Sequence, residues 1–429
     1  MRLVEAAAPS PARPWLPMPF PKGLRALNHR DFRLFWTGQL VSLIGTWMQS
    51  VGQSWLVLEL TNSPFKLGLI GTLQFGPVLC LSFLAGAIAD RVPKRRLVIG
   101  TQTALMLQAF ILAALAWSGH VQYWHVAVLA TLYGLANVLD MPTRQSFIVD
   151  MVGKDDLMNA IALNSAIFNG ARIVGPAIAG LLVARFGVPI AFLLNGASFI
   201  AVIIALLAIR VEGRPHSGSD RSMLQGIGDG LQYALGTPRV FLLLCLMLAV
   251  SLFLVNHNVL VPLLARDVLH QGAQGFGLLL AALGIGALTG ALALAMRGEA
   301  QPRLALIIVS GVIMALALVV LAVMRHFWAA AAALALLGFF QIVFMTGCNT
   351  SLQITVPDAL RGRIMSLYAF VFAGITPIGS LFIGSVAEVL GVPAAFAVGG
   401  GLGLLCILAL AERSVRGSGW RPPWWGRQI

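Results

Sequence analysis

The stretch Gly170-Ala171-Arg172-Ile173-Val174-Gly175-Pro176-Ala177-Ile178-Ala179-Gly180 carries three glycines five residues apart, a proline and an arginine inside a long apolar run. In a water-soluble helix each glycine costs about 1 kcal/mol relative to alanine, and the proline about 3 kcal/mol. A membrane helix tolerates both, because neighbouring helices satisfy the freed backbone groups. Glycine there also lets a second backbone approach closely. The pattern returns 204 residues later, where Gly374, Gly379 and Gly384 stand in the places of Gly170, Gly175 and Gly180. Gly391-Val392-Pro393-Ala394-Ala395-Phe396 repeats Gly187-Val188-Pro189-Ile190-Ala191-Phe192 at all positions but one, and Val356 and Leu367 repeat Val152 and Leu163. The register holds from 152 to 192 without a gap, so the chain reads as two similar halves.

Composition places those halves in a bilayer. Of 429 residues, 58% are hydrophobic and 10% charged, with mean hydropathy +0.86. A soluble domain carries about a quarter charged residues. Cys80, Cys245, Cys348 and Cys406 all lie in apolar runs and read as small core residues, not as disulfides or metal ligands. No metal site and no cofactor is expected. Residues 1–27 are read as a short cytoplasmic tail, since they lack the apolar core and cleavage site of a signal peptide.

About 20 apolar residues cross a bilayer as a helix. Twelve such spans can be marked, at 34–60, 66–89, 95–118, 124–146, 157–184, 189–210, 239–264, 274–297, 303–324, 327–350, 361–387 and 393–412. With the N-terminus inside, the inner segments hold 24 Lys and Arg and the outer segments 4. That asymmetry puts both termini in the cytoplasm and assigns the net charge of +13 to topology rather than to nucleic-acid binding. The expected class is all-α, with six-helix bundles at 28–211 and 239–412, a cytoplasmic linker at 212–238 and a cytoplasmic tail at 413–429. Within the linker, Leu224, Ile227, Leu231 and Leu235 recur at helical spacing, which predicts a short amphipathic surface helix. Trp420, Trp424 and Trp425, with Arg416, Arg421 and Arg427, read either as a membrane-surface anchor or as a disordered tail.

The second inner loop reads Gly86-Ala87-Ile88-Ala89-Asp90-Arg91-Val92-Pro93-Lys94-Arg95-Arg96. One carboxylate meets four cations at a turn between helices. The plain reading is positive-inside charge with a solvated acid. The sharper reading is a cytoplasmic latch, with Asp90 facing the positive end of a helix in the other half, where an anion gains up to about 1 kcal/mol. The segment resembles the loop 2–3 signature of the major facilitator superfamily, G-x-x-x-D-R-x-x-[RK]-[RK]-[RK]. Gly170, Gly175, Pro176 and Gly180 resemble that superfamily's fifth-helix antiporter motif, with Ala179 replacing a glycine. Phe32-Arg33-Leu34-Phe35-Trp36, Asp140-x-Pro142-x-Arg144-Gln145 and Asn159-Ala160-x-x-Leu163-Asn164 are similar to the bacterial exporter branch that includes enterobactin and macrolide efflux proteins.

The resemblance covers residues 25 to 412 and implies a two-bundle transporter with a solute cavity between the halves near the midplane. It also implies that Asp90 meets the start of the eleventh helix, with Asp140, Arg144 and Arg91 in the same charge network. Gly86 has a counterpart in Gly290, whereas Asp90 falls on Leu294, so only one half carries the acid. The family's fourth-helix R-x-x-Q-G is absent, since Ala130 and Tyr133 precede Gly134.

Ionisable residues inside spans are functional candidates. Arg172 can snorkel, pair with a carboxylate or bind an anionic substrate. His257, in Asn256-His257-Asn258, is either a proton switch or a neutral hydrogen-bonded group. Gln39, Ser42, Thr46, Gln49, Ser50 and Gln53 form a polar stripe on the first span, which lines a cavity or packs on another helix. Gln341, Thr346, Asn349, Thr350 and Tyr368 extend the set. Such a lining suits a bulky, moderately apolar solute. No G-x-x-x-x-G-K-[ST] loop is present, which points to an ion gradient, with protons the expected coupling ion. The expected function is export of a drug-like compound or siderophore by a monomeric, non-enzymatic transporter of the bacterial inner membrane. The alternatives are an importer of the same fold and a non-transporting sensor.

Overall fold

The computed structural model describes residues 21–89, 91–213, 223–297 and 303–418. Among them the chain is helical throughout. The long helices, numbered in order, are Arg30–Thr61, Pro64–Ala89, Lys94–Trp117, Tyr123–Val152, Leu157–Phe186, Pro189–Ala208, Pro238–Val268, Ala273–Arg297, Leu304–Val323, Phe327–Thr355, Leu360–Leu390 and Val392–Ser418. Ten, from the third to the twelfth, are long and apolar enough to cross a membrane. The first, 32 residues long, is diluted by its polar stripe. It and the second pack within the same bundle as the third to the sixth.

The first helix lies against the fifth and sixth, the second and third against the fourth, and the third against the sixth. In the second half the tenth lies against the eighth and ninth, and the ninth against the twelfth. Glycine sets the closest of these approaches. Gly38, Gly45 and Gly52 recur every seven residues, close to two helical turns, on one face of the first helix. A Cβ on them would meet Val202 and Ala205, Ser198 and Asn195, and Ala191 and Phe192 of the sixth. Close approach of this kind raises dispersion contact where lipid supplies no hydrophobic drive.

The repeat in the sequence is a repeat of contacts. Gly175 abuts Trp47 and Ile44 of the first helix, and Gly180 abuts Ala273 and Gln274 at the start of the eighth. Gly379 abuts Leu252 and Asn256 of the seventh, and Gly384 abuts Pro64 and Gly68 at the start of the second. Each fifth-type helix therefore grips its own bundle's first helix with one glycine, and the other bundle's second helix with the next.

Two helices of the second half are not regular. The seventh passes from α-helix into a π-turn at Val250–Leu254, breaks at Val255 and Asn256, and resumes at His257–Leu263. The eleventh has a π-turn at Phe370–Gly374, two residues after Tyr368. Such irregular turns gather at functional sites.

The predicted surface helix is present at Met223–Gly236 and includes Leu224 and Ile227. Ala234 is buried and Gly230 lies against Arg363, so this face docks on the start of the eleventh helix. Leu231 and Leu235 point away from the protein. Asp90, the tail before residue 21, the linker at 214–222 and the tryptophan cluster at 420–425 lie outside the described residues.

Candidate functional site: the cleft between the halves

The halves meet along two helix pairs, the fifth with the eighth and the second with the eleventh. All the contacts that follow lie toward the end remote from Lys22 and Ser418, here the far end. Gly277 sits on the backbone of Pro176 and Gly180, and Gly284 on Ile173 and the Arg172 carbonyl. Gly68 sits on Ser380, and Thr72 Oγ1 donates to Pro377 O at 2.8 Å. Trp55 stacks on Phe276, ring centroids 6.2 Å apart. One turn beyond Ile173, a Cβ on Gly170 would find open space. The halves thus touch along both pairs from the far end to at least the level of Arg172.

Charged groups reinforce the closed end. Glu388, from the second half, accepts from Ser63 Oγ at 2.8 Å and from the Phe65 amide at 3.1 Å. It caps the N-terminus of the second helix, where a carboxylate is favoured by the helix dipole. Arg266, also from the second half, donates to Leu58 O at 3.0 Å near the C-terminus of the first helix. A cation is favoured there. These two groups border a cavity of about 520 Å³ that also exposes Asp267, His270 and Arg325. Sequence reasoning missed Glu388 and treated Arg266 only as an outer charge. The available signal was an acid just before Gly391 and an N-capping Ser63-Pro64.

At the opposite end Asp140 is fully buried. It pairs with Arg144 at 2.6 Å and accepts from Thr101 Oγ1 at 2.7 Å and Gln102 Nε2 at 2.8 Å. Arg144 Nη1 donates to Gln39 Oε1 at 2.6 Å. This network fastens the first, third and fourth helices of one half. Lys94, also buried, pairs with Asp150 at 2.8 Å. Arg95 donates to the Leu206 and Leu207 carbonyls, both at 2.7 Å, closing the C-terminus of the sixth helix. Arg91 and Arg96 are exposed. Gly86 lies near the end of the second helix.

The polar stripe of the first helix divides. Gln49 Nε2 donates to Gln108 Oε1 at 3.0 Å, and Asn195 Nδ2 donates to Gln49 Oε1 at 2.7 Å. Gln53 Nε2 donates to Gln74 Oε1 at 3.1 Å. With Gln39 on Arg144, all three glutamines bond inside the first half, although the Gln39 and Gln108 amide nitrogens are buried without a partner. Thr46 and Trp47 are half-buried.

In the second half, Asn256 at the break of the seventh helix accepts from Ser380 Oγ at 3.3 Å, and His257 Nε2 lies 3.1 Å from Gln341 Oε1. The break is thus tied to the tenth and eleventh helices. Tyr368 reaches the Met345 carbonyl at 3.5 Å, and Gln353 Nε2 donates to Asn349 Oδ1 at 2.6 Å.

Arg172 stands apart from these networks. It lies midway along the fifth helix, beside the ring of Trp47 at 5.9 Å. Trp47 packs edge-on against Phe168, centroids 5.9 Å apart. Among the described residues Arg172 makes no ion pair and no side-chain hydrogen bond. An arginine at the centre of a membrane helix costs about 2.5–3.5 kcal/mol on insertion scales, and a cation–π contact returns about 0.5–2 kcal/mol.

Two bundles in contact along two helix pairs, one of them carrying a broken helix, can expose a midplane site to alternate sides of a membrane. Residues 22–417 match the major facilitator family model described as transmembrane secretion effector. The staphyloferrin A transporter of Staphylococcus aureus is 27% identical over 87% of this chain and 94% of its own length. The multidrug efflux pump Tap of Mycolicibacterium fortuitum is 28% identical over 82% and 88% respectively. Among solved structures, the nucleoside transporter NupG superposes with a TM-score of 0.73 at 12% identity, over 89% of this chain and 98% of that one. The last likeness concerns the fold alone. The chain belongs to the transmembrane secretion effector family of major facilitator transporters.

Proposed function

We propose that the protein exports a bulky, moderately apolar organic solute, drug-like or siderophore-like, across the bacterial inner membrane by alternating access. The observation that carries this reading is the family match over nearly the whole chain, joined to contacts between the halves toward the end remote from the termini. The first and second helices also cross the membrane in this reading, making twelve spans. The excess of Lys and Arg at the end holding both termini makes that end cytoplasmic. The cleft then opens inward, ready to load a solute for export. A monomer contains the whole cleft.

Asp90 and its neighbours Arg91, Lys94, Arg95 and Arg96 form the latch of the opposite conformation, in which the cytoplasmic end closes. Export is driven by protons, in keeping with the absence of a nucleotide loop. Solute-facing candidates are Thr46, Arg172, Asn256, His257, Asn349 and Tyr368. The test is accumulation of a compound panel in cells with and without the gene, repeated after collapse of the proton gradient. Lower accumulation with the gene, abolished by collapse, is expected. Equal accumulation of every compound removes the export reading, and export that persists after collapse removes proton coupling.

A further inference from the structure

The transport reading leaves open which chemical feature of a solute the cleft recognises, and Arg172 supplies an answer. Its helix is 30 residues long, and Arg172 lies half-way, far from either interface. Its carbonyl is at 3.3 Å from a Cβ built on Gly284 of the eighth helix, so it lies at the contact between the halves. Arg172 is only half-buried. Trp47, held by Phe168 and by the glycine at 175, keeps the guanidinium beside an aromatic face.

Among the described residues no acid pairs with Arg172, and several are bonded elsewhere. Asp140 is held by Arg144, Asp150 by Lys94, Asp156 by Arg25 and His29, and Glu388 by the second helix. In the second half His257 is bonded to Gln341, at 3.1 Å. A guanidinium presents a planar fork of donors that matches a carboxylate with two parallel hydrogen bonds. A desolvated cation without an internal counter-ion binds an anion more strongly than one in water.

We infer that Arg172 and Trp47 form an anion-recognition point where the halves meet, and that the solute it takes is an organic carboxylate with a flat apolar body beside the charge. This rests on the reading of the cleft as a solute path, and it is tested by binding rather than by transport. Purified protein in neutral detergent is titrated with 1-naphthoate and, separately, with the uncharged isostere 1-naphthamide, following tryptophan fluorescence and thermal unfolding. Wild type is expected to bind naphthoate at least tenfold more tightly than the amide. Arg172→Gln is expected to lose that preference, Arg172→Lys to keep part of it, and Trp47→Leu to weaken both ligands.

Equal affinity of wild type for the two ligands, or binding of neither, overturns the inference. So does a preserved preference in Arg172→Gln. If that variant does not fold, Arg172→Lys decides, because loss of the fork with the charge retained must reduce the preference. A tenfold preference with no effect of the gene on cellular accumulation would keep the anion site and reject the export reading, so the two can fail separately.

Discussion

Glu388 offers the sharpest test of how the far end stays closed. Replacement by alanine removes one acceptor from two donors of the other half, Ser63 Oγ at 2.8 Å and the Phe65 amide at 3.1 Å. Loss of a capping acceptor costs about 0.5–2 kcal/mol, and loss of a carboxylate at a helix N-terminus about 0.3–1 kcal/mol. Glu388 and Phe65 are exposed, so water replaces part of both. A net loss of about 1–2 kcal/mol follows, which is a five- to thirtyfold shift in a two-state equilibrium. Because the bonds cross between halves, this loss falls on the closed far end and not on either bundle. Glu388→Gln keeps an acceptor oxygen and loses only the charge, so its shift should be about two- to fivefold.

The assay is a distance distribution between labels at Met158 and Met296, the exposed cytoplasmic ends of the fifth and eighth helices under the proposed topology. The four native cysteines are replaced by serine beforehand. Wild type should be dominated by the long distance of an open cleft. Glu388→Ala should move population to the short distance, and Glu388→Gln should lie between. A distribution unchanged in the alanine variant refutes the view that this carboxylate holds the end shut. An equal effect of alanine and glutamine refutes the division between acceptor and charge.

Asp140→Asn should lower the unfolding temperature, since it leaves the half-buried Arg144 without its counter-ion, a loss of about 1–3 kcal/mol; thermal unfolding in detergent checks this, and an unchanged midpoint contradicts the network role. Gly180→Val and Gly384→Val each place side-chain atoms against the other half's backbone, at a strain of about 1–3 kcal/mol, and both should shift the label distances as Glu388→Ala does while leaving yield intact. His257→Leu strands Gln341 and should cost about 1–3 kcal/mol of stability, whereas His257→Gln can restore the bond; equal midpoints for the two variants would show that the bond carries no stability. Asp90→Asn should cut export with membrane insertion unchanged, and wild-type export in that variant would remove the cytoplasmic latch.

What could be read from the sequence was periodic, and what could not depended on which partner filled each place. Gly170, Gly175 and Gly180 and their echo at Gly374, Gly379 and Gly384 show close packing and a repeat, because only small residues satisfy that spacing. Gly38, Gly45 and Gly52 carry an equally regular signal, and the structure gives it the sixth helix as partner. The glutamines of the first helix could not be assigned from spacing. An amide is satisfied as well by a neighbouring helix as by a solute, and Gln108, Asn195, Gln74 and Arg144 lie far off in the chain. The break at Val255 and Asn256 has no glycine or proline at its own positions, so it rests on tertiary bonds to Ser380 and Gln341 rather than on local propensity.

The repeat of contacts also bears on motion. If each fifth-type helix keeps one glycine on its own bundle and offers the next to the other bundle, rocking can release Gly180 and Gly384 without disturbing Gly175 and Gly379. The part of the pattern that differs between halves is then informative. Arg172 falls on Thr376 and Pro176 on Ser380. A symmetric hinge needs neither residue, so the anion-recognition role proposed for Arg172 would belong to the first half alone.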